Sequence, residues 1–278
     1  MTITFEQVAA LQAPAPDHKI SYGPAPQQFG QLRLPKGKGP FRVVIYVHGG
    51  CYKAEYSIAH AAAFEQALAD AGFAVWSLEY RRVGDQGGGW PGTFQDLASG
   101  ADHLRVLARQ YPLDLNRVIA AGHSAGGNSA LWLAARKKIA TESPLYTAEP
   151  LRIGGVLALA PAGDFVEMHQ KNGCGGIMEP LMGGSPETVR DRYRAASPGE
   201  LLPIGVPQKI VVAHLDESFR DFGRSYAAKA HAAGDEQLAV VDAPRSGHFD
   251  VIAPTTATWA IVRRALDDLF ARLQPAAP

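Results

Sequence analysis

Short apolar runs alternate with longer amphipathic stretches along most of the chain. Val43–Val47 is nearly unbroken in apolar residues, rich in β-branched side chains and too short for a helix. It reads as a strand buried on both faces. Runs of the same kind recur at Ala74–Leu78, Arg117–Ala121, Val156–Ala160, Ile210–Ala213 and Leu238–Val241. Between them lie segments with helical spacing. Ile58–Ala71 is Ala-rich and stops at Gly72, and Thr93–Arg109 carries Leu97, Leu104 and Leu107 on one face. Ala125–Lys138, Phe219–Ala233 and Thr255–Leu273 follow the same logic. Strand and helix in alternation predict an α/β fold: a mostly parallel sheet, helices on both faces, right-handed crossovers. Residues 1–40, rich in Pro and Gly, read as an arm with early edge strands such as Gln31–Leu34.

One stretch breaks the rhythm. Residues 163–207 lie between two strands and carry clustered glycines and prolines, with room for one short helix over Pro186–Ala195. A connection this long is expected to be an inserted cap or lid within a single domain spanning 1–278. Gly87–Pro91 reads as a second, mobile loop.

Composition narrows the classes. Hydrophobic residues make up 46% and charged residues 19%, as in a folded globular protein. Lys plus Arg and Asp plus Glu balance at 27 each, which argues against nucleic acid as a partner. No run of about 18 apolar residues is present to span a membrane. Met1–Pro16 lacks early Lys or Arg, and Glu6 interrupts its apolar stretch, so it does not read as a secretory leader. Cys51 and Cys174 are too few for a disulfide scaffold or a thiolate metal site. A reduced, cytoplasmic protein is the expectation, and a homodimer is the assembly kept in view.

Gly122-His123-Ser124-Ala125-Gly126 matches G-x-S-x-G. Alone this is weak, but it follows an apolar strand and opens a helix, the setting a nucleophile elbow requires. Ser124 is then the nucleophile. His48-Gly49-Gly50-Cys51-Tyr52 follows an earlier strand, and its N–H groups can converge on one oxygen. Gly50, Cys51 and Ala125 are the expected oxyanion donors through their backbone, the Cys51 thiol taking no part. A serine needs a matched base, and His248, in Ser246-Gly247-His248-Phe249-Asp250 after the last strand, is best placed of nine histidines. His123 is expected to be a bystander with its ring turned away. Asp216, at the end of a strand on the same sheet edge, is the expected partner of His248, with Asp164 and Glu217 as competitors. Glu79 and Arg81 are candidates for an ion pair, and Asp96 for a helix anchor. Trp90, Phe165, Met178, Met182 and Phe249 are candidates for an acyl pocket.

Taken together, these motifs resemble α/β-hydrolases of the small esterase and hormone-sensitive-lipase-like group, most nearly the branch of kynurenine formamidases and bacterial carboxylesterases. The resemblance runs from about Tyr22 onward. It rests on Val47-His48-Gly49-Gly50, Glu79-Tyr80-Arg81, Trp90-Pro91 with Asp96, Gly122–Gly127, Asp216 and Gly247–Asp250. The chain order Ser124, Asp216, His248 is the one that fold uses. Two positions depart: Cys51 stands where hormone-sensitive-lipase-like enzymes carry a third glycine, and Tyr52 where the formamidase-like motif has Trp. Neither removes a backbone donor. The resemblance implies hydrolysis of short to medium acyl esters by an acyl-enzyme, with no cofactor or metal. An aryl formamide substrate, or a catalytically silent ligand-binding protein, is the alternative.

Overall fold

A computed structural model describes residues 2–273. The strands are β1 (His18–Ser21), β2 (Phe29–Arg33), β3 (Phe41–Val47), β4 (Ala74–Leu78), β5 (Leu113–His123), β6 (Gly155–Leu159), β7 (Gln208–Ala213) and β8 (Leu238–Ala243). The helices are α1 (Phe5–Ala9), α2 (Ala62–Asp70), α3 (Gly92–Asp102), α4 (Leu104–Leu107) and α5 (Ala125–Ala135). They continue with α6 (Phe165–Gln170), α7 (Met178–Met182), α8 (Arg190–Ala196), α9 (Glu217–Ala232) and α10 (Thr258–Ala271). The strands form one eight-stranded sheet in the order β1-β2-β4-β3-β5-β6-β7-β8. β1 and β2 pair antiparallel, as do β2 and β4; every other pairing is parallel.

The apolar runs explain the layering. Along β3, Val43, Ile45 and Val47 join the core under α3, α5 and α9, while Val44 and Tyr46 join a second core under α2 and α10. All five are fully buried. A strand covered on both faces has no polar positions to alternate, which is why these runs read as unbroken. In these covered strands the ends are where side chains can reach a ligand, and the candidate site lies at their C-terminal edge.

Several boundaries differ from the sequence expectation. Ile58–Ala71 begins as a 3₁₀ turn, Ile58–Ala61, before α2. The 93–109 helix breaks at His103 into α3 and α4. β5 starts earlier than Arg117, because Leu113 and Asp114 pair with Phe41 and Arg42 ahead of a register shift. The 163–207 segment holds α6, α7 and α8 where one short helix was expected.

Candidate active site

The elbow is fixed by backbone sterics. β5 ends at His123 and α5 starts at Ala125, leaving Ser124 at φ 54°, ψ −121°. A Cβ on Gly122 would lie 2.1 Å from the Gly126 carbonyl oxygen, and one on Gly126 would lie 2.0 Å from that of Val47. No side chain fits at either position, so the glycines are what allow the strand to turn into the helix within one residue. The serine is nearly buried, at 2% exposure.

His248 sits on the loop after β8. Its Nδ1 lies 2.5 Å from Asp216 Oδ2, at the end of β7. β7 and β8 are parallel neighbours, and this brings the two loops together. Of the competing acids, Asp164 caps α6 through the N–H groups of Val166 and Glu167 and pairs with Lys229 at 2.7 Å. Glu217 is the first residue of α9. Among the described residues no hydrogen bond joins Ser124 Oγ to the His248 ring, a distance that often closes only when substrate is bound.

The loop after β3 faces the elbow. Gly50, Cys51 and Tyr52 have φ of 113°, 52° and 56°, three successive residues in a region that favours glycine. Among the described residues the N–H groups of Gly50, Cys51 and Ala125 make no backbone hydrogen bond. Three contacts hold this loop. The Tyr52 hydroxyl donates to the Ala125 carbonyl at 2.9 Å and lies 3.2 Å from Ser129 Oγ. Buried His48 places Nε2 3.0 Å from Glu79 Oε1. Cys51 is disulfide-bonded to Cys174 in the segment between α6 and α7. That bond corrects the expectation of two reduced thiols: 123 residues separate the cysteines, and no local signal pairs them.

Glu79 does not pair with Arg81. Besides His48, it takes Arg82 at 2.8 Å and the N–H groups of Ile58 and Tyr80. Burial would raise its carboxyl, but the His48 hydrogen bond and charge, with Arg82 and Ile58, outweigh it and hold the carboxyl below its usual range. Arg81 instead forks onto Asp96, within α3, at 2.8 and 2.6 Å.

The ring of His123 does not turn away from the base loop. Its Nε2–H donates to the His248 carbonyl at 2.9 Å, and the two rings lie 4.5 Å apart. Phe219, on the first turn of α9, packs 4.4 Å from the His248 ring and was not anticipated. The expected acyl-pocket side chains serve packing: Phe165, Met178 and Met182 are core, and Phe249 lies against His248, His123 and Phe5. Trp90 borders a cavity of about 730 Å³ with Lys138, Arg192 and Arg194, which none of Ser124, Asp216 and His248 lines. A cleft of about 510 Å³, lined by Lys171, Cys174, Phe219 and Phe222 among others, also excludes these three residues, but its Phe219 packs on the His248 ring.

A nucleophile elbow, a paired imidazole and unpaired N–H groups on the edge of this sheet define a carboxylesterase-type hydrolase of the α/β-hydrolase fold. Residues 31–217 match the BD-FAE family, and the chain belongs to that family. The fold is similar to esterase B from Lactobacillus rhamnosis, at 18% identity and a TM-score of 0.80 over 96% of this chain and 92% of that one. The hyperthermophilic esterase from the archaeon Pyrobaculum calidifontis matches at 19% identity and 0.72, covering 96% and 88%. A bifunctional GH43-CE protein of Bacteroides eggerthii matches at 22% and 0.74 over 91% of this chain, which spans 37% of that longer one. No curated protein matches the sequence. Among the described residues no helix is long and apolar enough to cross a membrane.

Proposed function

We propose that the chain hydrolyses carboxylic esters of short to medium acyl length through an acyl-enzyme on Ser124. The observation that carries this reading is the 2.5 Å contact of Asp216 with His248, on the sheet edge that also carries the Ser124 elbow. Ser124 Oγ attacks the ester carbonyl while His248 Nε2 takes its proton. Asp216 holds the ring tautomer and stabilises the imidazolium that forms. The N–H groups of Gly50, Cys51 and Ala125 bind the oxyanion. His248 then returns the proton to the departing alcohol, and the acyl group stays on Ser124. Water, deprotonated by His248, attacks that carbonyl; the bond to Ser124 Oγ breaks, Oγ takes the proton back from His248, and the acid leaves.

The cleft beside Phe219 and Cys174 is the substrate entrance, since both residues touch the machinery: Phe219 contacts the His248 ring and Cys174 is bonded to Cys51. The segment 163–207 acts as a cap over it. Similar structures named esterases favour an ester over the aryl formamide. A disulfide persists in oxidising compartments, so the Cys51–Cys174 bond favours such a compartment over the cytoplasm.

The test is a fluorophosphonate probe with a panel of p-nitrophenyl esters from acetate to octanoate. Ser124→Ala should fold, lose the label and lose at least ~10³-fold in kcat. Labelling of a different serine would sink the assignment.

A further inference from the structure

We propose that His123 is a positioning residue: its Nε2–H ties the backbone of the base loop to the elbow and thereby sets the height of His248 above Ser124. The proposal rests on the reading of Ser124 and His248 given above. Asp216 fixes the rotation of the imidazole, but a contact at Nδ1 leaves the ring free to rise or fall with its loop. Phe219 and Phe249 touch the ring at 4.4 and 5.1 Å between centroids, and such aromatic contacts tolerate sliding. The hydrogen bond to the His248 carbonyl, at 2.9 Å, is the directional link between this loop and the nucleophile's own strand end. It starts one residue from Ser124, on backbone that Gly122 and Gly126 allow no other course. Nucleophile and base are thus referred to one frame.

The surroundings of His123 support a role for that donor. The residue is 1% exposed, and its Nδ1 has no hydrogen-bond partner among the described residues. An apolar side chain of similar size would fill the space without a buried unpaired nitrogen; what it would lack is the N–H. On the far side, a Cβ at Gly49 would come within 2.8 Å of the His123 carbonyl oxygen and 3.1 Å of Nδ1, so His123 is wedged between the oxyanion loop and the base loop. Burial, reinforced by His248 and His60, pushes the His123 ring well below the usual histidine range and keeps it neutral. A neutral ring does not oppose the positive charge that His248 gains when it takes the Ser124 proton.

The experiment compares His123→Gln with His123→Met. The two side chains are of similar length, and only Gln carries an N–H where Nε2 was. Rates are normalised to active sites titrated with fluorophosphonate, so that misfolded protein does not count. The expected result is a fall in kcat on the order of 10²-fold for His123→Met with KM within about twofold, the scale of a small misplacement of a catalytic group. His123→Gln should recover at least tenfold of that loss. Equal activity in the two variants, whether high or low, overturns the proposal. So does a loss confined to KM, or apolar variants (Met and Leu alike) that unfold while Gln folds, which would make the bond structural. Failure of the wild-type label at Ser124 would instead remove the reading on which the proposal rests.

Discussion

The elbow and the oxyanion loop both hold backbone in the left-handed region, and they do so by opposite means. At the elbow the conformation is enforced by exclusion: Gly122 and Gly126 are packed so tightly that a methyl group would overlap a carbonyl oxygen at 2.1 or 2.0 Å. Gly122 is held by Gly126 four residues on, and Gly126 by the end of β3 at Val47 and His48. In the oxyanion loop Cys51 and Tyr52 are not glycine, and each costs about 1–2 kcal/mol in this region. Here the conformation is enforced by attachment: a disulfide to Cys174, a hydroxyl to Ala125 and a hydrogen bond below between His48 and Glu79. A strained loop persists when its surroundings over-determine it, and these surroundings come from distant parts of the chain.

This contrast can be broken in order of effect. The largest change after loss of Ser124 should come from the base: Asp216→Asn, keeping the shape of the side chain, should lower kcat ~10²- to 10⁴-fold with little change in thermal stability, while Asp164→Asn should stay near wild-type activity. Steady-state kinetics on both variants checks this, and a reversed ranking would exchange the two acids. At the elbow, Gly126→Ala should destabilise the fold by about 3 kcal/mol or more, since the strain falls on strand backbone, and urea midpoints would show it. In the oxyanion loop, Cys174→Ser should cost about 4 kcal/mol by releasing a 123-residue closure. It should also lower kcat by several-fold. Dithiothreitol should reproduce both effects in wild type and neither in the variant.

An effect on stability with none on catalysis is expected away from the site, at the antiparallel end of the sheet. Glu65 is fully buried, and neither of its oxygens has a hydrogen-bond partner among the described residues. Arg33 is 3.6 Å away but spends Nη1 on Pro14 and Gln66, so its pull is secondary. Burial, opposed by Arg33, pushes the Glu65 carboxyl up to about 7. A carboxyl raised on folding adds stability that is complete below about 4.5 and is lost as pH rises through about 7. Wild type should therefore lose on the order of 3 kcal/mol of unfolding free energy from this group between pH 4.5 and 8.5, and Glu65→Gln should lack that slope. Denaturant melts across the range decide it.

The same contrast explains what could be read from sequence. The buried strands Val43–Val47 and Ala74–Leu78 were legible because coverage on both faces leaves an apolar run. The elbow was legible because both glycines that permit it stand within two residues of Ser124, although Gly126 is pressed by Val47 of β3. The pairing of Asp216 with His248 followed from two neighbouring strand ends. By contrast, β1 was not legible: His18–Ser21 is polar and half exposed, and backbone pairing to β2 sets its course. The Tyr52 bond to Ala125 crosses 73 residues and the His123 bond to His248 crosses 125. Such contacts leave no periodicity and no spacing to find. The Glu79–Arg81 expectation failed for a related reason: Glu79 is filled by four other donors, and Asp96 offers Arg81 both of its oxygens.

The bond at Cys174 also bears on how a substrate is sized. The excursion from β6 to β7 is seated on the core by Phe165, Met178, Leu181 and Tyr193, all nearly or fully buried. The bond from Cys51 to Cys174, with Cα atoms 5.9 Å apart, adds a covalent tie from that segment to the loop after β3. On the function proposed above, the walls of the cleft beside Phe219 select what enters.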